Sequence, residues 1–148
     1  MKVAVALDGL LTDTASLKDE WTRLLGDEKF LNSEPFWAAL RPYDDVGRAL
    51  GLTVKHHELY VFAERPKKLS MVTRSWLRNH CGVSLDEEHL VMSAIKRYDS
   101  RLLGIDAFID ADSEAIENLK VETVCPIAGY LVDRQRGQGL LEIVEKIC

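Results

Sequence analysis

Five charged side chains stand where short apolar runs give way to loops. Residues 2–7 form an apolar run that meets Asp8-Gly9, and a later run, Ala107 to Ile109, meets Asp110, Ala111 and Asp112. Arg65 follows the run Leu59 to Ala63, and Lys96 follows His89 to Met92. Carboxylates and cations gathered at strand ends do general acid–base work and hold anions or divalent metal ions. Taken singly, each has a plainer use. Asp8 caps a turn, Asp110 and Asp112 cap a helix start, and Lys96 and Arg65 are solvated surface charges.

The elements that must position them alternate in type. A continuous apolar run ending in an Asp-Gly turn suits a strand buried on both faces, as in a parallel sheet. Runs at Leu59 to Ala63, His89 to Met92, Ala107 to Ile109 and Ile127 to Val132 repeat the signal. Between them lie helical patterns. Met71, Trp76, Leu77 and His80 recur at helical spacing over 70–81, with Arg74 and Arg78 as a polar row and Gly82 as a C-cap. Tyr98 to Leu103 ends at Gly104, Ser113 or Asp112 can cap Glu114 to Leu119, and Leu140 to Ile147 follows the Gly137-Gln138-Gly139 turn. This alternation predicts an α/β fold built on a doubly wound parallel sheet.

One interval breaks the rhythm. Roughly forty residues, Thr14 to His57, separate the first two strands where a crossover needs about a dozen. Leu17, Trp21, Leu24 and Leu25 define one amphipathic helix, Pro35 to Leu40 a second, and Asp44 or Asp45 can start a third through Val46, Ala49 and Leu50. The third reads as the crossover, and residues 14–43 as a small helical cap inserted into a single domain spanning 1–148. Trp21, Phe36 and Trp37 could stack on a nucleobase or simply pack this insert.

Composition narrows the function. The chain has 148 residues, 47% hydrophobic and 29% charged, with 19 Lys and Arg against 24 Asp and Glu for a net charge of −5. That balance argues against binding a nucleic-acid polymer and leaves room for a small anion in a local basic pocket. The N-terminal apolar run meets Asp8 before a secretory segment could finish, and no stretch reaches membrane-spanning length, so a cytoplasmic protein with no membrane contact is expected. Cys81, Cys125 and Cys148 lack pairing spacing and are expected as free thiols. His56-His57 lacks a third metal ligand and reads as exposed loop histidines, and Gly137-x-Gly139 is too short for a dinucleotide fingerprint.

In order along the chain, four segments carry a resemblance: Ala6-Leu7-Asp8-Gly9-Leu10-Leu11-Thr12-Asp13, then Ala63-Glu64-Arg65-Pro66, then Lys96 ahead of Leu103-Gly104-Ile105-Asp106, and finally Phe108-Ile109-Asp110-Ala111-Asp112. Together they resemble the motifs of the haloacid dehalogenase-like phosphatases. Glu34-Pro35-Phe36-Trp37, Arg41-Pro42 and Trp76-Leu77 with His80 look like the small deoxyribonucleotidase branch.

In that superfamily the first segment reads D-x-D-G, and the first carboxylate attacks phosphorus while the second serves as acid and base. Here the attacking position is Ala6. The resemblance further implies a hydroxyl at 63 and a second acid at 111, and both positions are alanine. It gives Asp8 the acid–base role in any surviving catalysis. Lys96, with Arg65 and Gly9, would hold phosphate, and Asp110, Asp112 and the carbonyl of Asp8 would hold magnesium weakly. The reading that follows is a phosphatase-related protein that binds a phosphorylated small molecule or nucleotide without turnover. A divergent magnesium-dependent phosphatase using Asp8 as nucleophile is the alternative, although Leu10 then stands where its acid should be. A regulatory or structural partner with an unused pocket is a further one.

Overall fold

The structure, a computed structural model, describes residues 1–120 and 127–148; Cys125 lies outside them. Five strands form one parallel sheet: β1 (Lys2–Ala6), β2 (Glu58–Ala63), β3 (Leu90–Met92), β4 (Ala107–Asp110) and β5 (Ala128–Leu131), in the order β3-β2-β1-β4-β5. β1 is central because it is apolar on both faces: Val3, Ala4, Val5 and Ala6 are all buried. It pairs Ala6 with Phe62 on one side and Val5 with Ile109 on the other. Across that seam Phe62 and Phe108 meet edge to face, with ring centroids 5.1 Å apart.

Among the described residues seven α-helices connect and flank the strands: α1 (Thr14–Leu25), α2 (Glu34–Ala39), α3 (Val46–His56), α4 (Ser70–Cys81), α5 (Lys96–Leu103), α6 (Ser113–Leu119) and α7 (Leu140–Ile147). The strand order reverses direction after β3. Right-handed crossovers therefore place α3 and α4 on one face and the later connections on the other. Accordingly α3 packs on α4 and α7, while α5 packs on α6. Gly129 of β5 is required by the close approach of α6, since a Cβ there would lie 3.1 Å from Cγ2 of Ile116. Among the described residues no helix is long and apolar enough to cross a membrane.

The doubly wound sheet, the four helical segments after β2 and the third helix as crossover agree with the sequence pattern. Boundaries shift by a residue or two, with α5 starting at Lys96 rather than Tyr98. His56 and His57 are not loop residues. His56 ends α3, and His57 caps it with its Nε2 3.1 Å from the Ile147 carbonyl oxygen, because the helix runs further than its apolar pattern. Cys81 is buried and Cys148 exposed, both free, and burial pushes the Cys81 thiol pKa up to about 12.

The insert is stitched at its base and packed on its own aromatics. Thr12 bridges Pro42 and donates its hydroxyl to the Arg41 carbonyl at 2.7 Å, and the Tyr43 N–H reaches the Leu11 carbonyl at 3.0 Å. Trp21 stands 5.5 Å from Phe30 and 5.3 Å from Phe36, and Phe36 stands 4.9 Å from Trp37. Phe36 and Trp37 are buried, and α2 rests on α4, where Trp76 Nε1 donates to the Leu40 carbonyl. These rings pack the insert.

Asp45 precedes α3 but does not cap it with its side chain. Instead Oδ2 accepts the Leu141 N–H at 3.1 Å, in the first turn of α7, and Oδ1 accepts Arg134 Nη2 at 3.2 Å. A distant carboxylate thus caps a helix whose own N-cap, Gly139, has no side chain. Burial opposes ionisation of Asp45, but the Leu141 amide and the Arg134 guanidinium outweigh it and hold its pKa below the ordinary carboxylate range. A lowered folded pKa means the contribution is present above the unfolded value, near 3.9, and lost as pH falls through the folded value. Asp45→Ala is expected to destabilise the protein by about 1–3 kcal/mol near neutral pH, by leaving Arg134 Nη2 and the Leu141 N–H without their acceptor. Urea unfolding should show the difference shrinking at the acid end.

Candidate functional site

Open parallel sheets place ligands at the carboxyl ends of their strands, at the point where the strand order reverses. A cleft of about 710 Å³ occupies that place, lined by Asp8, Gly9, Tyr43, Asp110, Asp112 and Arg134 among others. Beyond β1 the chain turns tightly, with the Leu11 N–H on the Leu7 carbonyl and the Gly9 N–H on the Thr12 carbonyl, both at 2.9 Å. Gly9 has φ of +91°, which side chains rarely adopt, so glycine is needed here for the turn itself. Leu10 and Leu11 point into the core and leave the cleft open.

Asp8 is held on three sides. Arg65 Nε donates to Oδ2 at 3.0 Å and Nη2 to Oδ1 at 2.7 Å, and the Thr14 hydroxyl donates to Oδ1 at 2.5 Å. Arg65 is itself 2% exposed, with Nη1 on the Thr73 hydroxyl at 3.1 Å and Cζ 4.3 Å from the Trp37 ring centroid. Every nitrogen of that fork has a protein acceptor. Arg65 therefore faces Asp8 and not the open cleft, and it would meet an anion only by giving up its carboxylate.

Lys96 and Asp110 form a second pair, Nζ to Oδ2 at 2.7 Å, with Glu64 Oε1 3.4 Å from the same ammonium. Asp110 Oδ1 accepts the N–H groups of Ala111 and Asp112 at 2.7 and 3.1 Å. Burial raises the pKa of Asp110 against these donors. On Lys96 burial acts downward, but the two facing carboxylates prevail and raise its pKa, so the ammonium stays charged. Asp112 caps α6 by accepting the Glu114 N–H at 3.0 Å.

The structure therefore brings Asp8, Gly9, Asp110 and Asp112 to one cleft, with Arg65 behind Asp8 and Lys96 behind Asp110. Ala6, Ala63 and Ala111 stand at the ends of β1, β2 and β4 and supply no side-chain oxygen. Sequence reasoning missed Arg134, which donates Nε to the Leu10 carbonyl at 3.0 Å and lies 4.2 Å from the Tyr43 ring. It also missed Thr14 and Thr73. The position of Thr14 at a helix start six residues after Asp8 was the one available signal.

These donors do not fit a magnesium shell, which demands near-octahedral oxygens. Both oxygens of Asp110 are already bonded, Asp112 caps a helix, and no group of three or more metal-binding side chains exists among the described residues.

No protein-family model matches the sequence, and no curated protein matches it. Solved structures do. The phosphatase Tt82 from Thermococcus thioreducens superposes with a TM-score of 0.62 at 13% identity, over 99% of this chain and 98% of that one. The L-2-haloacid dehalogenase PA0810 gives 0.62 at 11%, covering 99% of each chain. The L-2-haloacid dehalogenase from Xanthobacter autotrophicus gives 0.52 at 12%, over 90% of this chain and 77% of that one. The chain has the haloacid dehalogenase-like fold. Its five-stranded parallel sheet flanked by helices is Rossmann-like, and at these identities the likeness concerns the fold alone.

Two outcomes follow. Arg65→Met should cost about 2–4 kcal/mol in denaturant unfolding, under the full figure for a buried pair because Asp8 keeps part of its surface in water. Arg65→Lys should recover little of it, since an ammonium cannot make the paired contact. Calorimetric titration with magnesium should give a dissociation constant in the millimolar range or weaker; one near 10 μM, about −7 kcal/mol, would contradict the donor geometry.

Proposed function

We propose that this protein is a haloacid dehalogenase-fold binding protein without phosphatase turnover, taking a phosphorylated small molecule or nucleotide in the cleft at the strand ends. The observation that carries the reading is Ala6. It ends β1, is 1% exposed and has only a methyl group where the resemblance requires the attacking carboxylate. A methyl group cannot form a phosphoenzyme. The remaining acid–base candidate, Asp8, already accepts hydrogen bonds from Arg65 and Thr14, which commits most of its lone pairs to holding the strand ends.

Binding is supported by the open cleft and by Arg134 in its lining, while Lys96 stands behind Asp110 as its counter-charge. The lining also limits affinity. Its lining carboxylates, Asp8, Asp13, Asp110, Asp112 and Asp133, outnumber its lining cation Arg134, and Arg65 and Lys96 behind them offset only Asp8 and Asp110, so a phosphate without an accompanying cation meets net negative charge. Weak, salt-sensitive binding is the consequence. The saturation of both Lys96 and Arg65 by protein carboxylates favours the partner-protein reading as the second choice.

Steady-state assays with deoxynucleoside monophosphates and an activated aryl phosphate, with and without magnesium, test the first reading. Turnover should stay far below about 1 s⁻¹, an ordinary enzyme rate. A rate above it that Asp8→Asn abolishes would establish the divergent phosphatase instead. The double change Ala6→Asp with Ala63→Thr should recover a fraction of aryl-phosphate turnover, and Ala63→Thr alone less, because the groups act together. A folded double variant that hydrolyses nothing, beside a wild type that binds no nucleotide, would give the site to a protein partner.

A further inference from the structure

At the opposite end of the sheet from the cleft, His89 stands between two carboxylates. Its Nδ1 lies 2.6 Å from Asp86 Oδ1, and its Nε2 lies 2.8 Å from Glu58 Oε1. The same Glu58 oxygen accepts the Tyr60 hydroxyl at 3.0 Å, and the Tyr60 ring stacks on the imidazole with centroids 4.6 Å apart at 30°. A neutral imidazole has one N–H, and its other nitrogen carries a lone pair. Between two carboxylates at these distances a neutral ring would set that lone pair against an oxygen. Only the imidazolium satisfies both contacts.

The strand that this histidine introduces is short and pairs on one side only. β3 is three residues long and lies at the sheet edge, and its pairing begins with the Val61 N–H on the His89 carbonyl at 2.9 Å. Beyond its far end Ser93 takes φ of +52°, its N–H on the Arg65 carbonyl at 2.8 Å, and the chain then delivers Lys96. β3 thus runs from the His89 contacts to the loop that carries a site cation.

We propose that His89 is a pH-operated clasp that fastens the edge strand β3 to β2, closed as the imidazolium and released when the ring loses its proton. The charged and titratable groups around it are Asp86 and Glu88 from the loop before β3, Glu58 and Tyr60 from β2, and Lys2 from β1. The Lys2 ammonium lies 5.9 Å from the Tyr60 ring centroid, and its charge acts on Glu58. The bond to Asp86, then that to Glu58, outweigh burial and raise the His89 pKa, while the His89 bonds lower those of Asp86 and Glu58. A raised histidine pKa gives a contribution that is whole below the unfolded value, about 6.5, and lost as pH rises through the folded one. Lowered carboxylate pKa values give a contribution lost as pH falls through them. The clasp is therefore closed in mildly acidic solution and opens on the alkaline side.

The test is an NMR titration of the His89 ring in the wild-type protein, with amide exchange of Val61 and Val91 measured at about pH 6 and about pH 8.5. The His89 midpoint should lie above the ordinary 6.5 and fall in Glu58→Gln. Protection of those amides, corrected for hydroxide catalysis, should drop about fivefold across the titration, the scale of a surface ion pair, while Val3 to Val5 hold theirs. In His89→Gln the same amides should be poorly protected at both pH values. A wild-type midpoint at or below 6.5, or β3 protection unchanged as the ring titrates, overturns the proposal. So does a folded His89→Gln that keeps full protection; should that variant not fold, the wild-type titration alone decides.

Discussion

The guanidinium of a residue as buried as Arg65 cannot be left without a counter-charge, and the fold meets that demand with Asp8. The paired contact between Arg65 and Asp8 joins the exit of β2 to the exit of β1, the two strands at the middle of one half of the sheet. Through Thr73 the same fork reaches α4, and through Trp37 it reaches the insert. Four elements thus depend on one planar cation. A lysine would serve none of these contacts together, since the geometry needs a flat fork that bonds along its edge and stacks on its face.

The second pair works the same way across the other seam. Lys96, delivered by the loop after β3, reaches over to Asp110 at the end of β4, and Asp110 in turn orders the Ala111 and Asp112 amides that lead into α6. In this arrangement internal cations neutralise the carboxylates at the strand ends. A carboxylate already saturated by an ammonium and two amides has few lone pairs left for an ion that surrenders its waters reluctantly. Much of the polar chemistry of the cleft is consequently turned toward holding the strands together.

The insert between β1 and α3 adds a separate packing unit without a separate core. Its aromatic rings pack on one another and on α4, and its base is closed by the Thr12 and Tyr43 hydrogen bonds. On the other side of the cleft, Asp45 joins the start of α3 to the start of α7 through a backbone amide, and Arg134 ties both to the loop at Leu10. The rim of the cleft is therefore built from residues distant in sequence. Each contact satisfies a backbone group that its own element leaves open.

Periodicity alone determined the strands and most of the helices, because a strand buried on both faces must be apolar throughout and a helix on a sheet must be apolar on one face. The motif residues in their order foretold the fold, and the reading of Ala6, Ala63 and Ala111 as positions without an oxygen comes from the resemblance. Which partner each surviving charge would take was not legible. Nothing in the neighbourhood of Arg65 in the chain announces Asp8, Thr73 or Trp37, and Asp45 reads as a local cap although it serves a helix nearly a hundred residues away. The pairing of His89 with Glu58 is equally silent in the sequence. Hydrophobic pattern is a property of short segments, whereas the partner of a charge is set by where the crossovers bring strand ends together. That is decided only when the sheet is assembled.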